Sequence, residues 1–228
     1  MTLNKQKGNM YGFVTHTWNP IKGRCLHNCT YCFMQPKWKY LESIGKDMTL
    51  RLDHKEFGTD LGSGNFIFIG SSTDMWTFEI VDVWQYQIFK HIREFPDNTY
   101  LFQTKHPIGF FDMQPFWEGA KNIILGITLE TNRIHAAISN AMDPIRRVAA
   151  FAEIEHARKM VTIEPIMDFD LPVLTAMIKT IDPELVTIGG DSQGHDLPEP
   201  SKEKIKELTE RLIGFTEVLY KSNLKRLL

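Results

Sequence analysis

The chain has 228 residues, enough for one large domain or two small ones, and its 43% hydrophobic and 24% charged residues are the balance of a globular protein with a sizeable core. A net charge of −2 argues against a broad basic face made for DNA backbones. No apolar run reaches the length of a membrane span, and the opening Met1-Thr2-Leu3-Asn4-Lys5 has no apolar signal-peptide core, so a cytoplasmic protein with no membrane partner is expected. Short basic clusters, Lys37 with Lys39, Arg146 with Arg147, and Lys221, Lys225 and Arg226 near the end, read as solvated surface.

Short apolar runs alternate with amphipathic stretches, the pattern of βα units and a parallel sheet. Tyr11 to Trp18 reads as the first strand. A loop holding all three cysteines follows, and a helix is expected from about Met34 to Ile44. Asn65 to Gly70 is a buried apolar run of strand length. Glu79 to Phe95 has helical spacing and is stopped by Pro96. Thr99 to Thr104 is the third strand, followed by a helical turn with Phe110, Phe111 and Phe116. Asn122 to Leu129 is the fourth strand. A helix starts at Asp143-Pro144, an N-cap followed by proline, and runs to about Ala157. Lys159 to Ile163, a helix from Leu171 to Ile181, and Leu185 to Gly190 come next. Ser201 caps a last helix through Leu212.

Six such units are too few for a closed eight-stranded barrel. An open, partial (β/α)6 barrel, a parallel sheet with outer helices, fits; a doubly wound sheet is the alternative. No repeat, low-complexity tract or linker divides the chain. One domain over 1–228 is expected, with its barrel core at about 11–215 and a short C-terminal tail.

The chemistry concentrates in Gly23-Arg24-Cys25-Leu26-His27-Asn28-Cys29-Thr30-Tyr31-Cys32-Phe33. Its cysteines are spaced C-x3-C-x2-C within eight residues, close enough to converge on one metal centre. A structural zinc would need a fourth ligand, with His27 or His16 as candidates. A four-iron cluster normally takes four cysteines, so a triad leaves one iron open to a small molecule. With no fourth cysteine, the chain has neither a second cluster nor a catalytic thiol.

Both candidate folds put active sites at the C-terminal ends of the strands, and that rule selects further residues. Gly70-Ser71-Ser72-Thr73-Asp74 is a small hydroxyl-rich turn where backbone can approach a ligand, or an ordinary turn. Lys105 stands at a strand mouth, where a lysine can neutralise a carboxylate. Thr128, Glu130 and Asn132 fall on one face by alternation and suit ribose hydroxyls and an amino group. Equally, Thr131 or Asn132 could simply cap a helix. Glu164, Asp191 and His195 follow the fifth and sixth strands as candidate substrate contacts. Trp38, Trp76 and Trp117 are candidates for stacking on bases.

Cys25, Cys29, Tyr31 and Cys32 match, position by position, the C-x3-C-x-aromatic-C signature of the radical S-adenosylmethionine (SAM) enzymes. The resemblance extends through Trp18-Asn19-Pro20, Gly70-Ser71-Ser72-Thr73-Asp74, Gln103-Thr104-Lys105, Glu164-Pro165 and Ile188-Gly189-Gly190-Asp191. Together these resemble an uncharacterised, phage-associated radical SAM family grouped near spore photoproduct lyase. The resemblance implies a [4Fe–4S] cluster on Cys25, Cys29 and Cys32. It implies SAM bound by that cluster, with Tyr31 by the adenine, Gly70, Ser71 and Ser72 near the methionine amino group, Lys105 at the SAM carboxylate, and Asp74, Thr128, Glu130 and Asn132 around the cofactor. An electron donor such as flavodoxin or ferredoxin is implied as partner. The implied substrate is a nucleic acid or modified nucleoside, with a protein substrate, as for glycyl-radical activases, as the alternative. Tyr31 is the one candidate catalytic residue. Phe33 stands where the lyase has a second tyrosine, and the lyase's cysteine hydrogen donor has no counterpart. A non-catalytic zinc-binding α/β domain is the remaining reading.

Overall fold

The computed structural model describes residues 3–6, 8, 10–156 and 158–228. In chain order it has β1 (Asn4–Lys5), β2 (His16–Trp18), β3 (Ile21–Lys22), α1 (Gln35–Ser43), β4 (Arg51–Leu52), β5 (Phe66–Ile69), α2 (Asp82–Ile92), β6 (Thr99–Thr104), α3 (Gln114–Trp117), β7 (Ile123–Thr128), α4 (Pro144–Ala152), β8 (Lys159–Ile163), α5 (Leu171–Ile181), β9 (Leu185–Ile188), α6 (Lys202–Ile213) and β10 (Glu217–Tyr220).

An eight-stranded sheet runs β1-β2-β5-β6-β7-β8-β9-β10 and does not close on itself. Every neighbouring pair is parallel except β1 with β2. β3 and β4 form a separate antiparallel pair. The expected open parallel sheet with outer helices is therefore present. Two expectations about its ends are corrected. Residues 11–15 are not strand: Val14 N–H donates to the Tyr11 carbonyl in a turn, and only His16–Trp18 pair. The region expected to be a tail contributes β10, which pairs parallel with β9 from Glu217 beside Leu185 to Tyr220 beside Ile188. The Asp143 carboxylate caps α4 by accepting from Ile145 N–H at 2.8 Å, and Ser201 Oγ caps α6 by accepting from Lys204 N–H at 3.3 Å. The expected end of α4 at Ala157 lies outside the described residues.

Alternation along the strands sorts the sheet into two faces. Ile67, Ile69, Tyr100, Phe102, Leu125, Ile127, Val161, Ile163, Val186 and Ile188 share one buried cluster with Ile88, Phe89, Val148, Phe151, Leu174, Ile178, Ile205 and Leu208 of the helices. Each such side chain contributes about 1.5–3 kcal/mol when fully buried. The opposite, concave face changes character along its length. Near the strand starts Phe68, Leu101, Ile124 and Met160 pack under Tyr11 and Val14. One step further the inward residues turn polar: Gln103 Nε2 donates to Thr128 Oγ1 at 2.9 Å, and Thr162 Oγ1 meets Thr187 Oγ1 at 3.0 Å. The Tyr11 hydroxyl joins this layer, 2.7 Å from Gln103 Oε1 and 2.8 Å from Thr162 Oγ1. The concave face thus grades from an apolar floor to a polar mouth.

Candidate functional site

A cavity of about 460 Å³ opens at the C-terminal ends of the strands. All three cysteines line it, together with residues that follow five of the parallel strands: Gly70 to Asp74 after β5, Lys105 after β6, Glu164 after β8, Asp191 after β9 and Lys221 after β10. Of the predicted site residues, Tyr31, Gly70, Ser71, Ser72, Asp74, Lys105, Thr128, Glu164 and Asp191 meet in this space. Glu130 sits behind Tyr31 and lines a second cavity of about 370 Å³ with Arg147 and the loop of residues 131–143.

The cysteine loop is held tightly by its own backbone. Asn28 N–H donates to the Cys25 carbonyl at 3.3 Å, and Cys32 N–H donates to the Cys29 carbonyl at 3.1 Å. Asn28 takes a left-handed conformation, φ 45°, which asparagine tolerates better than most residues. Its Oδ1 accepts from Arg24 and from Gln35. The segment around Ser139 clamps the loop from outside: Thr30 N–H donates to the Ile138 carbonyl, Asn140 N–H to the His27 carbonyl, and Ser139 Oγ lies 3.1 Å from Cys29 Sγ.

Two side chains tie the loop to the strand ends. Asp74 accepts from Thr104 Oγ1 at 2.9 Å and from Lys105 N–H at 2.9 Å, and its Oδ2 lies 2.7 Å from His27 Nε2. Burial opposes its charge, but His27 and these donors together hold its carboxyl below the usual range. Asn19 Oδ1 accepts from Ser71 Oγ, Ser72 N–H and Ser72 Oγ at 3.0–3.1 Å. The hydroxyls of this turn are therefore committed to Asn19. Gly70, at φ +77°, gives the turn its left-handed residue, and an added Cβ would press on the Thr73 carbonyl at 3.3 Å.

Behind the cysteines is a buried ionic cluster. Lys105 Nζ lies 3.6 Å from Cys29 Sγ, 3.4 Å from Glu130 Oε1 and 4.9 Å from the centre of the Tyr31 ring. The Tyr31 hydroxyl donates to Glu130 Oε1, and Arg147 Nη1 donates to Glu130 Oε2 at 2.7 Å. Burial works against ionising Glu130, yet Arg147 and Lys105 keep its carboxyl well below the ordinary range. Burial, with Glu130 beside it, pushes the Tyr31 phenol up. Burial also opposes the Lys105 charge but is outweighed by Cys29, Tyr31 and Glu130, which raise its pKa. Arg147 was expected on a solvated surface; it is 4% exposed because it is the counter-ion this carboxylate requires.

On the far side, Glu164 accepts from Lys221 and, at 2.7 Å, from Asn223 Nδ2. Lys221 is likewise buried rather than solvated, with its ammonium 4.7 Å from the centre of the Tyr11 ring. Asp191 accepts from the backbone N–H groups of Gln193 and His195, and His195 Nδ1 lies 2.7 Å from its Oδ1. Burial raises the Asp191 pKa, but these donors lower it overall.

Several expectations are corrected. Asn132 is drawn from the cavity into a hydrogen-bonded pair with Asp170, and neither Thr131 nor Asn132 caps a helix, since α4 starts at Pro144. His195 holds Asp191 but is not part of the cavity wall. His16 lies in β2 with Nδ1 on Thr15 Oγ1, away from the cysteines. Trp38, Trp76 and Trp117 are each 1% exposed core residues, so none offers an open stacking face. The site residues not anticipated are Asn19, Arg147, Gln103, Thr162, Lys221 and Asn223. Polar residues at matching inward positions of successive strands were the signal for Gln103 and Thr162.

The three thiols are free and share one cavity wall. A donor set of three thiols with no fourth cysteine fits a four-iron cluster that keeps one iron open to a small molecule. In the metal-free thiol state burial, followed by the Asp74 charge, pushes Cys25 up to about 12, and burial raises Cys32.

Among solved structures the fold resembles spore photoproduct lyase. A cysteine-to-serine variant of that enzyme aligns over 94% of this chain and 79% of its own, with a TM-score of 0.64 and 11% identity. A tyrosine-to-phenylalanine variant aligns over 95% and 80%, with a TM-score of 0.63 and 11% identity. A form with bound AdoMet and dinucleoside spore photoproduct aligns over 94% and 66%, with a TM-score of 0.56 and 11% identity. At these identities the likeness is one of fold. Comparison with curated proteins gives no significant match. A family model described as a protein of unknown function, DUF5131, matches residues 10–211, and the chain belongs to that family.

Proposed function

We propose that the chain is a radical SAM enzyme acting on a nucleic acid or a modified nucleoside. One observation carries the reading: three free thiols on a short loop line the polar mouth of an open parallel barrel, with a buried lysine 3.6 Å from the middle one. Cys25, Cys29 and Cys32 would hold a [4Fe–4S] cluster, which would supply the electron for reductive cleavage of the SAM carbon–sulfur bond and so for hydrogen abstraction from a substrate. The residues of this chain then have separate tasks. Asp74 and Asn19 fix the cysteine loop and the 70–74 turn relative to each other. Lys105 supplies a positive charge for the SAM carboxylate, and Glu130 with Arg147 holds Tyr31 and Lys105 in place. Glu164 and Asp191, on the opposite wall, face the space left for substrate.

The substrate class is supported by solved forms of the lyase that carry a dinucleoside spore photoproduct. A lyase-type hydrogen relay does not follow, because all three cysteines are assigned to the cluster.

The test is anaerobic reconstitution with iron and sulfide, then dithionite and SAM. Formation of methionine and 5′-deoxyadenosine is expected. A fully loaded, brown protein that forms neither overturns the reading, and a colourless protein holding one zinc replaces it.

A further inference from the structure

Helix α1 turns one apolar stripe inward, Trp38 with half-buried Met34 and Leu41, and still carries exposed apolar residues on its outward face. Its one buried residue is Trp38, 1% exposed, which anchors the helix beside the cavity wall. Lys37, Tyr40 and Ile44 are spaced three and four apart and so lie along one face. Phe33, in the turn entering the helix, continues that line to the rim, where it is itself part of the cavity wall. Phe33 is 57% exposed, Tyr40 63% and Ile44 51%. Such residues on a helix normally turn inward.

Charge selects the occupant. Lys37 and Lys39 are exposed beside the aromatics, and neither makes an ion pair or hydrogen bond among the described residues. The one acid of the helix, Glu42, is neutralised by Arg24 at 3.0 Å. Exposed aromatic rings among unpaired lysines are the elements of a platform for single-stranded nucleic acid: bases stack on the rings and phosphates meet the ammonium groups. A paired duplex keeps its bases stacked within itself and cannot use the rings.

We propose that this outer face of α1 is a docking track for single-stranded nucleic acid, with bases on Phe33 and Tyr40 and phosphates on Lys37 and Lys39, leading a strand into the cavity at Phe33. Phe33 and Tyr40 are seven residues apart, roughly 10 Å along a helix axis, enough for a few nucleotides between them. The track rests on the proposed function only for what the strand meets at its end; strand binding itself needs no radical chemistry.

The experiment is fluorescence anisotropy of a labelled single-stranded oligonucleotide of mixed sequence with the intact, cluster-loaded chain. Tyr40→Ala is expected to weaken binding about tenfold, and Phe33→Ala at least as much. Lys37→Glu with Lys39→Glu is expected to flatten the slope of log Kd against log salt by roughly 1.4. Ile213→Ala removes an equally exposed apolar residue from α6 and is expected to change nothing. Circular dichroism confirms that each variant is folded. The proposal is overturned by no binding, by binding that Tyr40→Ala leaves intact, by equal affinity for duplex, or by an acidic electron-carrier protein that docks on this face while the oligonucleotide does not. Binding without SAM cleavage would leave the track standing and remove the radical reading; cleavage without binding would do the reverse.

Discussion

Replacing Arg147 by methionine tests whether the Glu130 cluster is the ionic keystone beneath the cysteines. The guanidinium, on a side chain 5% exposed, donates to the Thr128 carbonyl at 2.7 Å, the Met142 carbonyl at 2.5 Å and Glu130 Oε2 at 2.7 Å. Methionine keeps much of the volume but strips Glu130 of its closest counter-ion, leaving Lys105 at 3.4 Å. Breaking a buried pair from one side costs about 3–5 kcal/mol. For a chain of this size that is a fall in Tm of roughly 6–20 °C. Glu130→Gln with Arg147→Met removes both charges, and it should recover at least about 1 kcal/mol relative to Arg147→Met alone. Urea denaturation and thermal melts of the wild type, both single variants and the double variant measure the coupling. An Arg147→Met protein within about 1 kcal/mol of wild type, or a double variant that costs the sum of its singles, would falsify the idea that the two charges depend on each other.

Three further outcomes are expected. Gly189→Ala would place a Cβ 2.8 Å from the Glu164 carboxyl and 2.9 Å from Asn223 Oδ1, and since Lys221 and Asn223 hold that carboxylate, a loss of roughly 1–3 kcal/mol should appear in urea melts; unchanged stability would mean Glu164 swings away freely. His156 is buried against the Ile123 carbonyl, 2.8 Å from its Nε2, and burial lowers its pKa. A depressed folded pKa gives stability that is complete above the unfolded value of about 6.5 and is lost as pH falls below it, so His156→Gln should flatten the stability curve just under that pH, and an identical slope would contradict the assignment. Ending the chain at Phe215 removes β10 and the partners of Glu164 and uncovers the β9 edge, so size-exclusion chromatography should show aggregates; a folded monomer would show the last segment to be dispensable.

The strands Thr99–Thr104 and Lys159–Ile163 and the helix Leu171–Ile181 were legible to the residue, because their apolar periods are long and unbroken. β10 was not. Glu217-Val218-Leu219-Tyr220 is an edge strand, none of whose residues is buried, and its apolar stretch Val218-Leu219-Tyr220 is only three residues, short of the usual strand run. Tyr11, Phe13 and Val14 mimic a strand because they too bury apolar groups, but they do so as a plug packed on the apolar floor of the barrel. The cysteine triad could be read from spacing alone. Its supports could not: Asn19, Arg147 and Lys221 act through partners 52, 17 and 57 positions away, and no local pattern announces such contacts. Asn132 misled because alternation was carried past the end of β7 at Thr128, where the chain is no longer pleated.

The two margins of the incomplete barrel are unlike the strands between them. One is the two-residue ribbon Asn4–Lys5, the other the four-residue Glu217–Tyr220, and so short a border gives a stray β-segment little length to zip onto. The gap is thus guarded against being filled by another chain's backbone. What stays open is a seam rather than a closed ring, because β1 and β10 stand at opposite ends of the strand order and share no pairing.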